Sequence, residues 1–252
     1  MAPAQRIPRF SGRPRLAAVL FDAGLTLIRA ATPAAEVARV ALERQGLRAA
    51  AADYAAVMDE AQVNLEAQWH TQNWWAAEST VRLLFTDAYQ ASLVRSPLAT
   101  GDDVLAAQLA HAIYDEYQET HHWAAYADVL PTLQALRQAG VAMGIVSDWG
   151  HGLEAIVLEL ELGDYFSGLV VSSRLGMAKP HAQVFEVALE RLGVPAAETV
   201  YIGDTYVKDV LGARAAGITP VLLDRAGRAP AVDCLRVGSL LELLDRVGVA
   251  RC

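Results

Sequence analysis

Leu16-Ala17-Ala18-Val19-Leu20-Phe21-Asp22 decides the architecture: six apolar residues in succession, ending on a carboxylate. A run that is apolar at consecutive positions, instead of at alternate ones, suits a strand covered on both faces. Such strands belong to parallel sheets flanked by helices. Downstream of Ala124 the pattern repeats. Helices near Val129–Gln138, Leu153–Leu160, Ala182–Leu192 and Val207–Ala216 alternate with strands at Val141–Val146, Leu169–Val171, Thr199–Ile202 and Ile218–Leu223, and Leu240–Val247 closes the series as a helix. The expected fold class is α/β, a Rossmann-like parallel sheet with helices on both faces.

Between Thr32 and Trp123 the sequence reads as helices only. Val37, Val40 and Ala41 line one stripe, ending near Gly46. Val81, Leu84, Phe85 and Ala88 line a second, and Leu105, Leu109, Ile113 and Tyr117 a third, with Asp102 and Asp103 as its caps. The expected organisation is therefore a core of residues 16–31 and 123–252 with an inserted α-helical domain at 32–122. Residues 1–15, with Arg6, Arg9, Arg13, Arg15, Pro3, Pro8 and Pro14, read as a disordered leader without the apolar segment of a secretory signal.

The hydrophobic fraction of 54% supplies a sizeable core, and a net charge of −8 disfavours phosphate backbones as partners. No apolar run approaches the roughly 20 residues that span a bilayer. Cys234 and Cys252 have no metal or redox spacing and read as reduced thiols, and no Cys/His pattern points to zinc. A soluble, cytoplasmic protein is expected.

Ligands of parallel α/β sheets bind beyond the carboxyl ends of the strands. There the sequence places Asp22, Ser147 with Asp148, Ser172 with Ser173, and Gly203-Asp204, with Lys179-Pro180 and Asp209 nearby. Carboxylates crowded together raise one another's pKa unless a cation relieves them. Asp22, Asp204 and Asp209 are oxygen ligands suited to Mg²⁺. Lys179 suits an anionic substrate or the nucleophile, Ser147 can donate to a phosphate oxygen, and Asp22 is placed to be that nucleophile.

Taken in order, Phe21-Asp22-Ala23-Gly24-Leu25-Thr26-Leu27, Ile145-Val146-Ser147, Lys179-Pro180 and Ile202-Gly203-Asp204 through Asp209 resemble the four core motifs of the haloacid dehalogenase superfamily. The resemblance extends to the insertion, because many members carry a helical cap directly after the first motif. It implies attack by Asp22 on phosphorus to form an aspartyl-phosphate, with Ser147 and Lys179 orienting the phosphoryl group. It also implies Mg²⁺ held by Asp22, the backbone carbonyl of Gly24 and a motif-four aspartate. The implied partner is a small anionic, phosphorylated substrate, with no nucleic acid and no membrane, and the chain acts as a monomer or homodimer.

One position departs from the pattern. Phosphatases of this superfamily usually carry a second aspartate two residues after the nucleophile, as general acid and base; here Gly24 stands there. A general acid is worth about 10²–10⁴ in rate. Three readings follow: a phosphatase weak on poor leaving groups, a C–X hydrolase such as a 2-haloacid dehalogenase, and a catalytically impaired phosphate-binding homologue. Duller roles stand beside the sharp ones. Asp22 could cap a turn. Thr26 reads as a structural hydrogen bonder next to the substrate site, and Asp148 either as a cap for the helix after Gly150 or as a chemical group. Arg29 meets an anionic substrate or forms a surface salt bridge. Ser172 and Ser173 read as loop polars. His70, Trp74, Trp75 and Arg82 either pack or close over substrate, and His121 and His122 read as solvated hinge residues.

Overall fold

In the computed structural model, which describes residues 16–68 and 72–250, the opening run forms β1 (Ala18–Phe21), buried at all four positions. After β2 (Ile28–Ala30) come α1 (Ala34–Arg44), α2 (Ala51–Gln68), α3 (Glu78–Leu93) and α4 (Asp103–Tyr117). The chain returns through β3 (Trp123–Ala125) to α5 (Val129–Gln138), β4 (Ala142–Ser147), α6 (Leu153–Glu159), β5 (Gly168–Val171), α7 (Ser172–Leu175), α8 (Ala182–Leu192) and β6 (Thr199–Gly203). A π-helical stretch, Tyr206–Leu211, runs into α9 (Gly212–Ala215), followed by β7 (Thr219–Leu223), β8 (Leu235–Val237) and α10 (Leu240–Val247).

Six strands form one parallel sheet in the order β5-β4-β1-β6-β7-β8. The chain builds outward from β1 to β4 and β5, then returns to β1's other edge with β6. The strand order reverses at β1, so a crevice opens at its carboxyl end, where Asp22 follows Phe21. Alternate side chains of the strands feed opposite layers. Val19, Phe21, Ile145 and Ile202 pack with Leu133, Ile156 and Leu243 on one face, while Leu20, Val146 and Tyr201 pack with Val184 and Phe185 on the other. Continuous apolarity in β1 is the consequence of serving both.

The helices between β2 and β3 have their own core of Leu42, Tyr54, Val57, Leu93, Leu109 and Ile113. Asp102 caps α4, accepting from Leu105 N at 2.9 Å. Two features escape the sequence reading here. α2 is alanine-rich and its exposed Val63 blurs the stripe of Tyr54, Val57, Met58, Ala61 and Leu65, so no helix stood out. The passages into and out of the insertion pair as an antiparallel ribbon, Ile28↔Ala125 to Ala30↔Trp123, too short for alternation to register. A buried clasp fastens the same junction. His122 lies 3.0 Å from Glu116 Oε1 through Nε2 and 3.0 Å from Thr32 Oγ1 through Nδ1, and Arg44 pairs with the other Glu116 oxygen. His122 is thus buried, not solvated, because its two ring nitrogens are both partnered; His121 beside it is exposed.

The leader, His70 and Cys252 lie outside the described residues. Among the described residues, no helix is long and apolar enough to cross a membrane.

Candidate active site

Asp22 sits at the reversal point with its side chain buried. Ser147, at the end of β4, donates to Asp22 Oδ1 at 3.0 Å, and Lys179 Nζ donates to the same oxygen at 2.7 Å. Thr26 donates to Oδ2 at 3.2 Å, so the hydroxyl orients the carboxylate from the far side of the loop. That loop is braced from below: Arg225 donates to the Thr26 carbonyl at 2.8 Å while forming a two-pronged pair with Asp128.

Lys179 is the electrostatic hub. Its ammonium also reaches Asp209 Oδ1 at 2.6 Å and Tyr201 Oη at 3.1 Å. Burial works against its charge, but Asp209 and Asp22 outweigh that and hold its pKa well above the lysine range. One ammonium faces three carboxylates, since ligand oxygens of Asp22, Asp204 and Asp209 lie within 4.8 Å of one another. The imbalance shows in the acids. Burial raises the Asp22 carboxyl, Lys179 pulls it back, and Asp209 adds to the rise, leaving it above the ordinary aspartate range. Asp204 is pushed up to about 7 by burial and then by Asp22 and Asp209. An excess of buried oxygen anions is what a hard divalent cation relieves, so the donor set fits Mg²⁺. Asp209 is the most committed of the three, with Oδ1 shared by Lys179 and Tyr201 and Oδ2 accepting from Thr205 N at 2.8 Å. Asp204 is less committed: its Oδ1 accepts a 3.3 Å hydrogen bond from Thr205 Oγ1.

Several readings from the sequence change. Asp148 neither caps α6 nor stands free. Its Oδ1 accepts from Lys179 N at 3.0 Å and its Oδ2 lies 3.1 Å from Lys208 Nζ, so it pins the lysine loop. Ser172 and Ser173 are buried in α7, and Ser172 Oγ accepts from Trp149 N at 3.1 Å. Arg29 lines the cavity with no carboxylate partner among the described residues; its Nη1 donates to the Ala30 carbonyl. Trp74 and Trp75 are buried, Trp75 also facing the cavity, whereas Arg82 is tied to Asp115.

Three participants were missed. The sequence gives Tyr201 only as a strand residue; its signal is a phenol inside an apolar run, which needs a buried partner. Lys208 brings a further cation to the cavity, one residue ahead of Asp209. Trp149 fills the space beside Gly24: a Cβ added at Gly24 would lie 2.9 Å from the indole Cζ3. The indole packs edge-on against Trp123, ring centres 4.9 Å apart. Next to Gly24, Leu25 adopts a left-handed conformation, φ 56°, with its side chain exposed toward the cavity. For a bulky residue this is strained backbone at a site. The cavity itself, about 780 Å³, runs from Asp22 between the sheet edge and the inserted helices.

Fold and site together define a class: α/β proteins that gather a buried aspartate, a serine, a lysine and further aspartates at the carboxyl edge of a parallel sheet. The chain belongs to the haloacid dehalogenase-like hydrolase family, which it matches over residues 16–217. It is similar to haloacid dehalogenase-like hydrolase domain-containing protein 3 of Danio rerio, 38% identical over 49% of this chain and 51% of that one. It is also similar to the glyceraldehyde 3-phosphate phosphatase of Methanopyrus kandleri, 38% identical over 40% of this chain and 43% of the relative. With the phosphoserine phosphatase of Thermus thermophilus it shares 30% identity over 67% of this chain and 71% of that one. The matches to the first two relatives span about half the length of each. Among solved structures, a magnesium-bound HAD-hydrolase from Bacillus subtilis superposes with a TM-score of 0.72 at 20% identity, covering 93% of this chain and 99% of that one. A 2-haloacid dehalogenase from Pseudomonas syringae superposes with a TM-score of 0.61 at 23% identity, covering 92% and 98%. These likenesses concern the fold.

Proposed function

We propose that the protein hydrolyses phosphoric monoesters or acyl phosphates through an aspartyl-phosphate on Asp22, with Mg²⁺ as cofactor. The observation that carries this reading is the grip on Asp22: Ser147 and Lys179 on one carboxylate oxygen, inside a cluster of three carboxylates with a single ammonium directly bound. Asp22, Asp204 and, through its shared position, Asp209 would hold the ion, with the Gly24 carbonyl as a further donor. Bound Mg²⁺ supplies charge neutralisation for the substrate and the acids. Asp22 attacks phosphorus in line. The Lys179 ammonium and Ser147 hydroxyl turn from Asp22 to the phosphoryl oxygens as negative charge gathers there. Residues 32–122 serve as a cap over the core of residues 16–31 and 123–252, closing the cavity against water.

At Gly24 the chain has no group to protonate the leaving oxygen, so activity on sugar phosphates is weak. The same vacancy, with Lys179 already balancing Asp22, favours a second reading: displacement of halide from a 2-haloacid, which needs no acid. The relatives named phosphatases and the intact acidic cluster support the first. A paired assay with and without chelator separates them, using acetyl phosphate, p-nitrophenyl phosphate, a sugar phosphate and a 2-haloacid. Chelator-sensitive turnover of the first two is expected. Chelator-insensitive turnover of the haloacid alone would establish dehalogenation, and phosphate binding without any turnover would establish an impaired homologue.

A further inference from the structure

Two features of the cavity point to the same kind of leaving group. The first is its wall. Beyond Asp22 the space of about 780 Å³ presents mainly carbon surface, with the rings of Trp75, Phe85, Trp123 and Trp149 in its wall and the polar groups of Arg29, Gln62 and Gln118 among them. Such a volume greatly exceeds what a phosphoryl group needs, and most of the surface it offers a leaving group is carbon. Burying sugar hydroxyls against carbon without hydrogen bonds is costly, whereas an aromatic body gains both area and ring contacts. The wall is also fixed. Trp123 Nε1 donates to the Tyr117 carbonyl at 3.1 Å, Trp149 packs on Trp123, and the Trp149 amide is tied to Ser172.

The second feature is proton supply. The position that would offer an acid to the leaving oxygen is Gly24, and the Trp149 indole occupies the volume such a side chain would enter. An ordinary alcohol, with a pKa near that of water at about 16, leaves as a poor anion without a proton. A phenol, whose pKa is about 10 like that of tyrosine, does not need one. The indole therefore removes the acid and supplies an apolar surface in the same place.

We propose that the substrates are phosphate monoesters of phenols, with the ring lying against the Trp149–Trp123 wall; this rests on the phosphatase reading above. The balance is complete. Asp22 forms the bond to phosphorus, the aryl oxygen departs with the electron pair as phenolate and takes its proton from water, and a second water releases phosphate and restores Asp22.

The test is a set of steady-state measurements on substituted phenyl phosphates, phenyl phosphate against cyclohexyl phosphate, and acetyl phosphate as a small activated control. The expected result is a steep rise of kcat with leaving-group acidity and a kcat/KM for phenyl phosphate at least 100-fold above that for cyclohexyl phosphate. The Trp149→Ala variant should lower the phenyl-over-acetyl preference at least tenfold through KM, and Trp149→Phe should largely retain it. Comparable turnover of cyclohexyl and phenyl phosphates, or a preference unmoved by Trp149→Ala, would overturn the proposal. Turnover of acetyl phosphate with none of the aryl esters would overturn it while leaving the phosphatase reading intact. No turnover of acetyl phosphate either would overturn that reading and the inference with it.

Discussion

Lys179 shows how much one side chain carries. Its ammonium is buried between Asp22 and Asp209, and removing one partner of a buried ionic group leaves the remaining charges uncompensated. Lys179→Met is expected to cost about 3–5 kcal/mol of stability by urea unfolding, as well as phosphoryl binding. Gly24 gives a sharper prediction. Gly24→Asp alone should not restore an acid, because its Cβ would meet the Trp149 indole at 2.9 Å and the ring is backed by Trp123. The double variant Gly24→Asp with Trp149→Ala makes the room, and its activity on an alkyl phosphate should exceed that of Trp149→Ala by about 10²-fold or more. Equal kcat in the two would mean that proton transfer comes from elsewhere. Asp22, Ser147 and Asp204 were legible in the sequence because each ends or follows a strand and polar residues there are conspicuous, and Lys179 and Asp209 through the Lys-Pro pair and the spacing from Asp204. Trp149 and Tyr201 were not: an aromatic residue reads as packing until its neighbours are known, and only the three-dimensional contact sets Trp149 against a glycine more than a hundred positions away.

At the level of elements, the junction between insertion and core matters most. The β2–β3 ribbon and the Glu116–His122–Thr32 clasp hold both chain passages together. Glu116→Ala strands the buried His122 without its acceptor, while Arg44, exposed on its own side chain, is simply rehydrated. The expected cost is about 1–3 kcal/mol. Amide exchange should quicken at Ala31, whose N–H bonds the His122 carbonyl. Unchanged protection there would show that the ribbon holds without the clasp. The long core elements could be read ahead of the structure, since periodicity accumulates over their length. The ribbon, α2 and β8 could not. Two are three residues long, and in α2 alanine supplies little contrast between faces.

Across the whole molecule, buried phenols set an alkaline limit. Burial raises Tyr89, Tyr114, Tyr117 and Tyr201, Tyr117 up to about 12. Unfolded tyrosines ionise near a pH of about 10, so between that point and about 12 the unfolded chain binds fewer protons than the folded one. Stability should be insensitive to these groups below pH of about 10 and fall as pH rises beyond it. Denaturant melts followed alongside tyrosinate absorbance check this, with ionisation coinciding with unfolding. The reversal of strand order at β1 places the acidic cluster, and the inserted helices add Phe85, Tyr89 and Tyr117 to the cavity that Trp123 and Trp149 wall from the core side, so the proposed chemistry draws on both parts of the chain. The claim at its centre is that Asp22 carries the phosphoryl group. Acid-quenching the full chain during turnover of acetyl phosphate with Mg²⁺, then mapping the modified peptide by mass spectrometry, tests it most directly. A phosphoryl group on Asp22, absent with chelator and in Asp22→Asn, is the predicted result; turnover with Asp22 unmodified, or undiminished in Asp22→Asn, would contradict it.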